Sequence, residues 1–222
     1  MKRYPYLVYC NAHRPRPIIE GLDGDPYVID LSFRNPDLEG IDVRDQRSFQ
    51  ERLDAAMAAG GHTWGLSGYL ERRDSLLRDC HQMVSENRFY HLGLDIIAPC
   101  GTALHSPLKA TVADAGHEAG DGNYGGYVLL EHGDPGMETF YSFYGHLACM
   151  DLPTRGSGLR PGERFARLGD FHENGNWFHH THLQVITTEG LRRGYQFKGY
   201  CAPEDLPGLE GLCPSPLPLF RI

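Results

Sequence analysis

Three short clusters hold the side chains best suited to bind a metal or move a proton: His91-Leu92-Gly93-Leu94-Asp95, Tyr144-Gly145-His146-Leu147 and His179-His180-Thr181-His182. Imidazoles and a carboxylate are the donors that hold a catalytic zinc with an open position, and such a centre supports hydrolysis. Spacing indicates how they could converge. Gly93 between His91 and Asp95, with Pro99 and Gly101 close behind, disfavours a helix; an extended, bent segment can turn both groups toward one point. In the His-Glu-x-x-His zincins, by contrast, a helix provides the spacing. In the last cluster the strand period of two puts His180 and His182 on one face and His179 on the other. His146 follows an aromatic strand, Phe140-Tyr141-Ser142-Phe143-Tyr144, and Gly145 allows close approach of its backbone. Each cluster alone also reads as ordinary structure, a polar surface strand or a satisfied core histidine. The three together carry the chemistry.

The elements that must position these residues are mostly β. The chain has 27 glycines and 15 prolines in 222 residues, typical of a turn-rich β protein, and its length suits one large domain or a core with an extension. Short candidate strands lie at 110–114, 127–132, 139–144, 164–168 and 182–187, separated by turns such as 121–126 and 133–136. An antiparallel sheet or sandwich core over 89–190 is therefore expected, with an N-terminal extension at 1–88 and a tail at 191–222. In the extension, five prolines before residue 44 predict irregular or short-strand structure, with Tyr27-Val28-Ile29-Asp30-Leu31 the best strand. Ser48-Phe49-Gln50-Glu51 forms a capping-box pattern. Phe49, Leu53, Ala56 and Met57 then share a helical face that ends at Gly60-Gly61. A second helix is expected around 70–84, with Leu76, Leu77, Cys80 and Met83 on one side. Nothing in the extension carries obvious chemistry, so its expected role is packing. The proline-rich tail from Cys201 is expected to lie extended over the surface.

Composition narrows the partners. A net charge of −8 offers no basic face for DNA or RNA. No apolar run approaches a membrane span, and Leu7-Val8-Tyr9-Cys10 is too short for the apolar region of a signal peptide. A soluble, cytoplasmic protein is the expectation. Six cysteines without a Cys-x-x-Cys pair argue against a zinc ribbon and, in a reducing compartment, are expected as free thiols.

With these residues in place, the chain resembles the lysostaphin-type (LytM-type) zinc metallopeptidases, peptidase family M23. The matching residues are His91-x-Gly93-x-Asp95, Ile96-x-Ala98-Pro99-x-Gly101-Thr102, Tyr144-Gly145-His146-Leu147 and His180-x-His182, in the family's order over about 89–187. The resemblance implies that His91, Asp95 and His182 bind zinc and that His146 and His180 are unligated catalytic histidines. It also implies a compact antiparallel β core with the site in a groove, and a peptide substrate, either peptidoglycan cross-links or related short peptides. The chain departs from the family in carrying His172-Glu173-Asn174-Gly175-Asn176-Trp177-Phe178-His179 where a Gly/Ser/Thr-rich approach and a proline are usual. That run is more similar to peptidase modules of bacterial phosphotransferase-aminotransferase fusion proteins, and Tyr69-x-Glu71-x-Arg73 points to the same subgroup. The lack of a leader and of wall-binding repeats favours, as an alternative, an intracellular metallohydrolase on an unrelated peptide or amide. A non-catalytic regulator on the same fold fits poorly with an intact five-residue set.

Overall fold

A computed structural model describes residues 5–38, 42 and 45–221, and in it the β pattern becomes one eight-stranded sheet and two small ones. The strands are β1 (Tyr27–Val28), β2 (Gly65–Ser67), β3 (Tyr90–His91), β4 (Leu94–Ile97), β5 (Ala103–His105), β6 (Ala110–Glu118), β7 (Gly125–His132), β8 (Phe140–Leu147), β9 (Gly158–Leu159), β10 (Arg164–Arg167), β11 (His180–Thr187) and β12 (Tyr200–Cys201). The large sheet runs β1-β2-β4-β11-β8-β7-β6-β9. Its pairs are antiparallel except β1 with β2, so the fold is mainly β and antiparallel, as expected. β5 pairs with β10, and β3 with β12.

Strand alternation decides what each face of the sheet does. In β11, Leu183 and Val185 enter the main core with Leu94, Ile96, Val128, Leu130 and Tyr144. Ile186 enters a second cluster with Leu129 and Phe143. His180, His182 and Gln184 share the parity of Ile186, so they sit on that second face and are buried there. Register then builds a row across four strands: Ser67 of β2 pairs with Asp95 of β4, Asp95 with His182 of β11, and His182 with Gly145 of β8. Opposed residues in an antiparallel sheet project to the same side at contact distance, so this row brings sequence-distant polar groups together.

The extension departs from expectation in several places. Helix α1 (Pro5–His13) forms where the prolines predicted irregular chain. Pro5 occupies its first position, where no intrahelical N–H is needed, and Tyr6 and Tyr9 pack on Phe140 with ring centroids 5.6 Å apart. The strand expected at 27–31 shortens to β1. Helix α2 (Gln46–Ala59) has the expected buried residues Phe49, Leu53 and Met57, but Asp45 caps it, accepting from the Ser48 N–H at 3.1 Å. The helix therefore starts before the Ser48 pattern. Residues 70–84 hold two short helices, α3 (Asp74–Leu77) and α4 (His81–Ser85). The tail is another correction: Leu209, Cys213, Leu219 and Phe220 are buried, and Phe220 lies 6.1 Å from Trp64 between ring centroids. All six cysteines are free. Among the described residues no helix is long and apolar enough to cross a membrane.

Candidate metal centre

His91 closes β3, Leu92-Gly93 make the bend, and Asp95 lies one residue into β4. This is the extended, bent segment expected from the sequence. The bend needs glycine at its centre because a Cβ on Gly93 would collide with the His182 ring. Around the bend three donor atoms meet: His91 Nε2 is 3.0 Å from His182 Nδ1 and 3.2 Å from Asp95 Oδ1, and His182 Nδ1 is 3.3 Å from Asp95 Oδ1.

The protons of these groups point the other way. His91 Nδ1 lies 2.9 Å from the Gly68 carbonyl, an acceptor only, so it carries the ring N–H and Nε2 is left as a lone pair. His182 Nε2 donates to Gln184 Oε1 at 3.0 Å, leaving Nδ1 as a lone pair. The Gln184 amide is held in that orientation because its Nε2 donates to the Tyr195 carbonyl at 3.2 Å. Three lone pairs thus face one another across a buried triangle, an arrangement that is repulsive unless a cation sits among them. Zinc bonds of about 2.0–2.1 Å in a tetrahedral centre space the donors by about 3.3 Å, so this N, N, O set fits zinc with one position left open.

Protonation favours the same outcome. Burial, reinforced by the Arg73 charge, pushes His91 down to about 3, and burial pushes His180 down to about 4. Burial opposes ionisation of Asp95, but His91 and Arg73 overcome it and hold the carboxyl well below its usual range. Neutral imidazoles and an ionised carboxylate are the forms a metal requires.

His146 and His180 stand beside the triangle. Their ring centroids are 4.3 Å apart, and His180 Nε2 is 3.7 Å from Asp95 Oδ1. Each has its Nδ1–H fixed on a carbonyl, of Asn174 at 2.7 Å and of Phe178 at 2.8 Å, which leaves Nε2 free. His146 adopts a left-handed backbone (φ 64), an unusual conformation for a side chain with a Cβ. Its N–H donates to the Tyr124 carbonyl and its own carbonyl accepts from Gly169, at 2.8 and 3.0 Å, which holds it there. His179 projects to the other side, 3.2 Å from Asp170. Neither His172 nor His179 lines the cleft over the triangle.

Residues 89–192 match the model of peptidase family M23. This stretch is a peptidase family M23 domain. No curated protein matches the chain by sequence. Among solved structures, a zinc-containing peptidase from Vibrio cholerae is 23% identical over 45% of this chain and 28% of its own, with a TM-score of 0.38. Helicobacter pylori Csd3 is 26% identical over 44% of this chain and 24% of its own, with a TM-score of 0.34. The catalytic domain of the antimicrobial peptidase lysostaphin from Staphylococcus simulans is 17% identical over 52% of this chain and 77% of its own, with a TM-score of 0.40. The chain therefore spans about a quarter of the length of the first two.

The M23 domain supplies every member of the triangle and, in Gln184, the partner of His182, but not the residues that hold Asp95. Arg73, from before its first residue, is 1% exposed and donates to Asp95 Oδ2 and to Glu71 Oε2, each at 2.7 Å. Ser67 donates to the same Asp95 oxygen at 3.1 Å, and Glu71 Oε1 accepts from the Leu31 N–H at 2.9 Å. The extension was expected only to pack, and this is a correction to that reading. Apart from the Tyr69-x-Glu71-x-Arg73 pattern, no local signal marks these residues: the pairing of β2 with β4 creates their role.

Proposed function

We propose that the M23 domain is a zinc-dependent peptidase, with zinc held by His91, Asp95 and His182, and that His146 and His180 carry out the proton transfers. The observation that carries this reading is the convergence of three lone pairs at 3.0–3.3 Å with every ring proton directed outward. When bound there, zinc supplies Lewis acidity, acidifying water and polarising a carbonyl.

The chain's own residues do the rest. His146 and His180, both neutral and each with a free Nε2, accept the proton lost as water attacks the scissile carbonyl. They return it to the amine nitrogen as the C–N bond breaks. The Asn174 and Phe178 carbonyls keep the two rings in one tautomer, so Nε2 alone serves as the working nitrogen. Asp95 remains ionised because Arg73 and Ser67 hold its outer oxygen, which leaves Oδ1 directed at the triangle. The proposed substrate is a short peptide, either a peptidoglycan cross-link or a related sequence, consistent with the family match.

Metal analysis of the purified chain tests the reading. About one zinc per chain is expected, lost in both Asp95→Ala and His182→Ala together with hydrolysis of peptidoglycan fragments. Full zinc retention by both variants overturns the assignment.

A further inference from the structure

The cleft over the triangle contains two buried arginines in opposite states. Arg73 has an acceptor at every guanidinium nitrogen: Nε donates to Glu71, Nη1 to Asp95 and Tyr200, and Nη2 to Ser67. Arg88 is 6% exposed and lines the same cleft as Asp95, His146, His180 and His182, yet its Nε and Nη1 have no hydrogen-bond partner. Glu86 Oε2 lies 2.7 Å from Arg88 Nε, but at an angle that makes no hydrogen bond, and buried Nη1 has no acceptor. The backbone fixes this residue: its N–H donates to the Met83 carbonyl at 2.9 Å, and Asn87 before it takes a left-handed turn (φ 52).

A buried guanidinium N–H without an acceptor costs free energy, and native structures keep few such groups without a use. Its planar fork is shaped for a carboxylate, the anion that peptides carry at acidic side chains and at their C-termini. Leu76, Met83 and Phe178 line the cleft as well and offer apolar contact to the peptide's carbon skeleton.

We propose that Arg88 is a substrate-recognition residue whose unpartnered guanidinium binds a free carboxylate of the peptide, so that the site selects anionic peptides. This rests on the peptidase reading above and adds its substrate class. It also gives the extension a part in choosing substrate, because Arg88 precedes the M23 domain. Glu86, half exposed, is the resting counter-ion that the peptide's carboxylate would replace.

The test uses the zinc-loaded full chain and alanine hexapeptides carrying a single glutamate, or isosteric glutamine, at each position, with acid and amide C-termini. Wild type is expected to favour the carboxylate over its neutral partner at one or more positions by roughly 10- to 100-fold in kcat/KM, chiefly through KM. Arg88→Gln should abolish that preference, and Arg88→Lys, which keeps the charge without the fork, should retain part of it; zinc content should stay at the wild-type level in both. Calorimetric binding of the same peptide pairs to metal-free protein reads the contact without turnover. Carboxylate-selective binding with no hydrolysis would therefore count against the peptidase reading and for Arg88. The proposal is overturned if wild type treats acid and neutral peptides alike in turnover and binding, or if the preference survives in both variants.

Discussion

The inner and outer halves of the candidate metal centre come largely from different parts of the chain, and they differ in kind. The M23 domain provides the inner half, His91, Asp95 and His182 with His146 and His180 beside them, from β3, β4, β8 and β11. The extension provides most of the outer half: the Gly68 carbonyl that orients His91, and Ser67, Glu71 and Arg73, which neutralise and fix Asp95, while Gln184 of the M23 domain orients His182. Inner residues are those whose lone pairs could serve a metal. Outer residues are ordinary polar groups whose value comes from burial, because a carboxylate 1% exposed needs a positive partner and saturated lone pairs. The comparison teaches that ligand identity can be local in sequence while charge balance is global in the fold.

Substitutions in the two halves should therefore fail differently. The largest effect short of metal loss is expected from His146→Ala or His180→Ala, each retaining zinc while hydrolysis falls by roughly 10²- to 10⁴-fold. If His146→Ala loses zinc as readily as His91→Ala, then His146 is a ligand and the inner half has been misassigned. In the outer half, Arg73→Leu should weaken zinc binding by roughly 10- to 100-fold in a chelator competition. It should also lower the stability of the metal-free chain by about 3–5 kcal/mol in urea, since it strands the buried Asp95 charge. That loss should shrink when zinc is present, because the ion supplies part of the missing charge. Wild-type zinc affinity in Arg73→Leu would reduce the extension to packing. The smallest effect is reserved for His179→Ala, which should keep zinc and at least roughly a tenth of the activity, because its ring meets Asp170 on the far side of the strand. The opposite ranking, with His179 critical and His180 dispensable, would break the face assignment of β11.

Much of the inner half was legible before any fold was known. Strand period alone separates His180 and His182 from His179, and Gly93 marks the bend that brings His91 to Asp95. Boundaries were less legible. α1 is hidden because proline breaks helices at most positions but is tolerated at the first; its two tyrosines bury against Phe140, a contact 131 or more residues away. The proline-rich tail looked like a surface strap, yet Leu219 and Phe220 complete the main core.

The sequence by itself determined which candidate donors stand near one another locally, because strand and turn spacing orients neighbours within a few residues. Tertiary structure alone decided that Ser67 would stand in register with Asp95, that Arg73 would be the buried counter-ion, and that Arg88 would line the cleft. No local pattern encodes these choices: the sign of a partner across a sheet matters only once burial removes the water that would otherwise have served every charge equally well.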